Sequence, residues 1–237
     1  MPIPFFLAIY AHDFPALPRL PPKVAWMSAH FSTSGPGMSN LPAKLPPGSL
    51  IILDDQTPWA GHSIETVCRE MTAVLMRTEA YGLLLDFERP PEEETLLLTN
   101  ALGQCCRELG IPMGAPESYA TDPGIAIFHS PLPCQIPPEV LCPPGRAVWL
   151  DVSPTAFLAH IGPDSTTGNL TEDEVSFSDE SQIFTDPALH CLYRSQPSDN
   201  GIDLLLYHTP QSITAMLETQ ELPGIQLALG LYRDFIS

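Results

Sequence analysis

Short apolar runs recur along the chain, each closed by polar or turn residues. They are Phe5–Tyr10, Val24–Ala29, Leu50–Asp54, Gly82–Glu88, Ile111–Ala115, Ile125–His129, Ala147–Asp151 and Ile202–His208. Runs of this length bounded by Pro, Gly or Asp predict buried strands. Most are continuous rather than alternating, as expected of parallel strands covered on both faces. Helical spacing is rarer. Residues 63–79 place Ile64, Val67, Cys68, Met71, Val74 and Leu75 on one face, with Ser63 as N-cap. Residues 91–109 open on Pro91 and three glutamates, suited to the positive end of a helix dipole, and Gly110 stops them. A third amphipathic stretch starts near Gln211 and continues toward the C-terminus, interrupted at Pro223-Gly224.

Composition changes the picture of the connections. Of 237 residues, 28 are proline, more than twice the roughly 5% usual in globular chains. Residues 11–22, 32–48 and 131–145 are proline-rich and show no helical period. Proline removes a backbone donor and disfavours helix in the residue before it, so extended crossovers are expected there. Eight strands, strand–helix–strand units and this length predict an α/β fold. The expected form is a trimmed (β/α)8 TIM-like barrel with several helices replaced by Pro-rich crossovers. A doubly wound open sheet is the competing architecture. The expected organisation is a single barrel domain over 1–237, with an acidic loop or insertion at about 163–187, where seven acids and no base occur. Leu189–Tyr193 and Ile202–Tyr207, joined through Asp199-Asn200-Gly201, offer a hairpin as an alternative use of the last apolar run.

Charge narrows the partners. Lys plus Arg is 10 and Asp plus Glu is 28, a formal net charge of −18. Such a chain repels phosphate backbones and anionic surfaces, so neither nucleic acid nor membrane is expected as a partner. The six cysteines form no C-x-x-C pair and read as reduced thiols rather than a secreted framework. The apolar N-terminus lacks a basic region and a small-residue cleavage site, which points to a cytoplasmic protein. The histidines show no metal-ligand spacing, no Gly-x-Ser-x-Gly elbow occurs, and no cofactor is implied.

The candidate chemistry lies in Tyr81-Gly82-Leu83-Leu84-Leu85-Asp86-Phe87-Glu88-Arg89-Pro90, an apolar strand ending in two carboxylates before a helix. Side chains alternate along a strand, so 82, 84, 86 and 88 share one face, with Asp86 and Glu88 about 6.6 Å apart along it. If that face is the barrel interior, both acids sit at the C-terminal mouth, where barrel enzymes keep their catalytic groups. Two close carboxylates raise the pKa of one member, which keeps a proton available near neutral pH. Glycoside hydrolysis needs such a proton for the leaving oxygen. Other strand-end residues that could line the same mouth are Tyr10, Asp54 with Asp55, Glu117 with Tyr119, His129, Asp151 and Tyr207. The plainer reading is that an Asp-x-Glu strand end only caps the next helix and binds water.

This stretch resembles the strand-4 signature of family 18 glycoside hydrolases, the chitinase-like barrels, whose pattern is Asp-Gly-x-Asp-x-Asp-x-Glu. Gly82, Asp86, Glu88 and Pro90 match, Phe87 takes the place of a usual aromatic, and Tyr81 and Leu84 replace the first two aspartates. Met113-Gly114-Ala115-Pro116 is loosely similar to the family's next strand. The resemblance implies a carbohydrate substrate, an oligosaccharide or polysaccharide of β-linked N-acetylhexosamine. Glu88 would protonate the glycosidic oxygen. Asp86 would orient the substrate's acetamido group, whose carbonyl oxygen acts as nucleophile. Tyr10, Asp54, Glu117, Tyr119, Asp151 and Tyr207 would bind substrate. Two readings stand beside it. Leu84, with no Met-x-Tyr-Asp match around 125–130, favours an inactive barrel that binds glycan or protein. Acids at successive strand ends also suit a divalent cation, and so a metal-dependent barrel enzyme.

Overall fold

A computed structural model describes residues 2–17, 20–170, 182–219 and 222–235. In chain order the described elements are β1 (Phe5–Ile9), β2 (Val24–Phe31), β3 (Met38–Ser39), β4 (Leu50–Asp54), α1 (Ile64–Arg77), β5 (Gly82–Asp86), α2 (Glu93–Leu109), β6 (Met113–Pro116), β7 (Ala126–His129), β8 (Val148–Asp151), β9 (Ala156–Ile161), β10 (Thr166–Leu170), β11 (Phe184–Asp186), β12 (Cys191–Ser198), β13 (Gly201–Tyr207), α3 (Pro210–Thr219), β14 (Ile225–Leu231) and α4 (Tyr232–Phe235).

Strands β1, β2, β4, β5, β6, β7, β8 and β14 pair in parallel in that order, and β14 returns to pair with β1. The result is a closed eight-stranded parallel barrel with no free edge, as the trimmed-barrel expectation requires. The alternation of side chains divides the apolar residues between two cores. Phe6, Ala8, Ala25, Leu50, Ile52, Leu84, Ala126, Phe128, Trp149, Leu227 and Leu229 pack together inside. Ile51, Leu53, Leu83 and Leu85 face outward onto Val67, Met71, Val74 and Leu75 of α1 and Leu98, Leu102 and Cys106 of α2. Ser63 caps α1, its Oγ accepting from the Thr66 amide at 3.3 Å, and Gly110 ends α2 at φ 70°. The proline-rich connections after β1, β2 and β7 carry no α-helix among the described residues.

The interior is packed to the point where Gly114 is required. A Cβ there would overlap the ring of Trp149, which is 1% exposed. Gly114→Ala is therefore expected to destabilise the barrel by about 1–3 kcal/mol, because a filled core cannot absorb a methyl group without strain. A lowered urea midpoint at unchanged slope would show it. An unchanged midpoint would mean that the Trp149 ring moves freely.

The structure corrects the expected eighth strand. Ile202–His208 does not close the barrel. Its residues form β13, which pairs antiparallel with β12 and β9 in a separate sheet ordered β10-β9-β13-β12-β11. The Asp199-Asn200 turn makes a local hairpin with Cys191–Ser198, the alternative pairing, and local pairing carries a smaller loop-closure cost than closure across the barrel. The closing strand is Ile225–Leu231, which the helical reading of the C-terminus absorbed. Gly224, at φ 92°, breaks the chain between α3 and β14. The five-stranded sheet is inserted between β8 and α3. The acidic stretch expected as a loop or insertion at about 163–187 contributes β10 and β11 to it, and residues 171–181 lie outside the described residues.

Where this sheet meets the barrel, the His208 amide donates to the Thr155 carbonyl at 2.9 Å, and Cys134 Sγ lies 3.6 Å from His208 Nδ1. Burial, with a smaller push from His190, holds the His208 imidazole down at about 4. Its folded pKa lies below the unfolded value, so its contribution to stability is present above about 6.5 and is lost as pH falls toward 4. NMR titration is expected to show the His208 ring neutral throughout pH 6–8. A midpoint near 6.5 would contradict the burial. All six cysteines are free thiols.

Candidate active site at the barrel mouth

Asp54, Asp86 and Asp151 are the last residues of β4, β5 and β8. Each stands two residues beyond an inward-facing side chain, Ile52, Leu84 or Trp149, so the strand period carries the three carboxylates into the mouth. Below Asp86 the layer is apolar: Leu84 is fully buried. Among the described residues no hydrogen bond reaches the Asp86 carboxyl. Burial, followed by the like charges of Glu88, Asp151, Asp54 and Asp55, raises Asp86 to about 6. Burial also raises Asp54. The Gln56 amide and His30 oppose that rise, while Asp55 and Glu88 add to it.

Asp151 is held differently. Its Oδ2 accepts from Ser130 Oγ at 2.7 Å, and its Oδ1 accepts from Ser153 Oγ at 2.8 Å and the Ser153 amide at 3.1 Å. Three donors satisfy this carboxylate, whereas Asp86 has none. Neighbouring acids in one mouth thus differ in what they can do: Asp151 is a fixed acceptor, and Asp86 can keep a proton near neutral pH.

Glu88 lies two residues past the end of β5, with its side chain exposed and no hydrogen bond or ion pair to its carboxylate among the described residues. Its charge acts on both Asp86 and Asp54. Asp55 holds its backbone. The Glu88 amide donates to Asp55 Oδ1 at 3.0 Å and the Arg89 amide to Asp55 Oδ2 at 2.9 Å.

The other expected site residues separate. Tyr10, just past β1, stacks on His12 with ring centroids 5.3 Å apart. With Leu231, Tyr232 and Arg233 it lines a cavity of about 640 Å³ at the ends of β1 and β14. Asp86 and Glu88 do not line that cavity. Glu117 is exposed just after β6. Tyr119 is buried, its hydroxyl donating to the Arg89 carbonyl at 3.0 Å and its ring set edge-on to Phe87. It supports the turn beneath Glu88 and presents no open face. Tyr207 ends β13 in the inserted sheet, opposite Ala156 and Leu192, beside a smaller cavity of about 270 Å³. Asp54, Asp86, Glu88 and Asp151 are the expected residues that act on one another. The bracing by Asp55, Arg89 and Ser130 escapes a sequence reading, although the Asp54-Asp55 doublet at a strand end is the one visible signal. Among the described residues no three His, Cys, Asp or Glu side chains are arranged to hold a metal ion.

No protein-family profile matches the sequence, and no curated protein matches it. Solved structures do. A GH18 chitinase variant from Cycas revoluta in complex with (GlcNAc)4 superposes with a TM-score of 0.52 at 12% identity, over 95% of this chain and 94% of that one. A plant class V chitinase mutant from the same organism, in complex with (GlcNAc)3, gives 0.51 at 13% identity over the same shares. The spore cortex-lytic enzyme SleL of Bacillus megaterium QM B1551 gives 0.50 at 11% identity, over 99% of this chain and 71% of that one. The chain has a divergent GH18 chitinase-like barrel fold.

Proposed function

We propose that the protein is a glycoside hydrolase acting on β-linked N-acetylhexosamine glycans, with Glu88 as general acid and Asp86 as the group that orients the substrate acetamido. The observation that carries this reading is Asp86 itself, a half-buried carboxyl with no hydrogen-bond partner among the described residues, raised to about 6 beside Glu88. Around pH 6 the Asp86 carboxyl is in part protonated. Fold likeness to barrels solved with GlcNAc oligosaccharides supports the choice of substrate.

Asp86 accepts the acetamido N–H and turns the acetamido carbonyl oxygen toward C1. That oxygen attacks C1 as the glycosidic C–O bond breaks, and Glu88 gives its proton to the leaving oxygen. Water then adds at C1, returning its proton to Glu88 and releasing the acetamido oxygen. The mouth acids repel polyanions, so neutral glycans suit this entrance better than nucleic acid or an anionic membrane surface. Incubating the protein with chitohexaose and resolving the products by mass spectrometry tests the reading. Shorter oligosaccharides are expected, and intact hexamer after prolonged incubation at pH 5–6 would overturn it.

One second reading has a specific observation behind it. A cavity of about 640 Å³ at the ends of β1 and β14 is lined by Tyr10, Leu231 and Tyr232 and not by Asp86 or Glu88, and Leu84 leaves Asp86 without a carboxylate beneath it. A barrel that binds glycan without cleaving it would show oligosaccharide affinity by calorimetry and no products.

A further inference from the structure

We propose that Asp55 is a positioning residue of this site: it fixes the backbone that carries Glu88 and leaves the Glu88 carboxylate free in solvent. Its bearing on catalysis rests on the glycosidase reading above; the bracing stands on geometry alone. Asp55 is 6% exposed. A carboxylate so enclosed needs strong donors to offset its lost hydration. It takes them from the two backbone amides that follow Phe87, one to each oxygen. Those amides lie past the ends of the ladders. The pairing of β4 with β5 stops at Asp54 and Asp86, and that of β5 with β6 at Leu84 and Gly114. Without Asp55 they would have no partner from a neighbouring strand.

The contact is returned. Arg89 Nε donates to the Asp55 carbonyl at 2.9 Å, and another guanidinium nitrogen donates to the Gln56 carbonyl at 3.1 Å. The Gln56 amide donates to Asp54 Oδ1 at 3.1 Å, and the Tyr119 hydroxyl to the Arg89 carbonyl at 3.0 Å. The ends of β4 and β5 and the turn after β6 are thereby laced together around one carboxylate. An exposed acid two residues beyond its strand would otherwise wander with its loop. Misplacing a catalytic group by about 1 Å can lower a rate by about a hundredfold.

The test compares Asp55→Ala, Asp55→Asn and Arg89→Ala in the full chain, with turnover of an aryl chitooligoside and amide hydrogen exchange read on each. Asp55→Asn keeps the volume and an acceptor oxygen, so it covers the case in which the alanine variant does not fold. In Asp55→Ala, kcat is expected to fall by about tenfold to a hundredfold with KM within about twofold. The Glu88 and Arg89 amides are expected to exchange at least about tenfold faster, as hydrogen-bonded amides do when opened. Asp55→Asn is expected to recover part of both, and Arg89→Ala to show a smaller loss. Faster exchange with unchanged kcat per folded molecule would reduce Asp55 to a loop cap and overturn the proposal. Unchanged exchange would overturn it too. If wild type and variants alike turn nothing over, the glycosidase reading fails, and the exchange result still decides whether Asp55 holds Glu88.

Discussion

Glu88→Gln is expected to lower kcat on an aryl chitooligoside by about 10²–10⁴-fold, the usual contribution of a positioned general acid. Gln keeps the length and shape of the side chain and cannot supply a proton. The fold is expected to be untouched. The Glu88 carboxylate makes no hydrogen bond or ion pair among the described residues, and the bond that holds position 88 comes from its backbone amide to Asp55. A melting temperature within about 1–2 °C of wild type would match the small effects of exposed substitutions. The variant has a second consequence. Among the charges that raise Asp86, Glu88 ranks first after burial. Removing it should bring the Asp86 titration down from about 6 toward the ordinary carboxylate range, a shift visible by carbon-detected NMR. Undiminished turnover at matched pH would remove Glu88 from the chemistry. An unmoved Asp86 titration would separate the two carboxyls that the mechanism couples.

The site was legible where a local period controlled it. Gly82–Asp86 is a continuous apolar strand with a polar end, and alternation alone carries Asp86 to the mouth above Leu84. Helices α1 and α2 were legible for the same reason, since an apolar stripe and a cap are short-range features. Closure was not. β14 pairs with β1 from the opposite end of the chain, and no local spacing encodes that partner. Gln226 and Gly230 also dilute its apolar run, while the β12–β13 hairpin supplied a cleaner strand pattern in the wrong sheet. The tyrosines show a similar limit. Tyr10 and Tyr119 each follow a barrel strand, yet one lines a cavity and the other is sealed under Arg89. Packing between elements decides that difference. Asp55 is the instructive case: the sequence marks it as a strand-end acid that could line the mouth, whereas its carboxylate is buried on the Glu88 and Arg89 amides and anchors the next loop.

Asp86→Asn is expected to stabilise the protein as pH rises while it removes activity. The folded carboxyl is pushed up to about 6 from the ordinary aspartate value of 3.8, so between these values the folded state holds more protons than the unfolded chain. Stability contributed by this group therefore falls as pH rises through that window, and above about 6 the ionised form bears its full burial and repulsion. Asn removes the charge and keeps the shape. The gain over wild type should be near zero at about pH 4 and level off above about pH 6–7. Its size is on the order of 1–3 kcal/mol, the upper end being two pKa units and the lower end allowing for partial solvent access. For a chain of this length that corresponds to several degrees in melting temperature, at about 2–4 °C per kcal/mol. The same substitution removes the acceptor for the acetamido N–H, and kcat is expected to fall by about 10² or more, as for a lost preorganised partner. Thermal melts at pH 4, 6 and 8 beside turnover assays check both halves. A flat stability difference across pH would refute the burial and repulsion assigned to Asp86. A pH-dependent gain with unchanged turnover would leave the electrostatics intact and move the acetamido contact elsewhere. A site that gains stability when its central acid is neutralised is held ionised against the interest of the fold, which is the pattern expected where a charge is kept for chemistry rather than for packing.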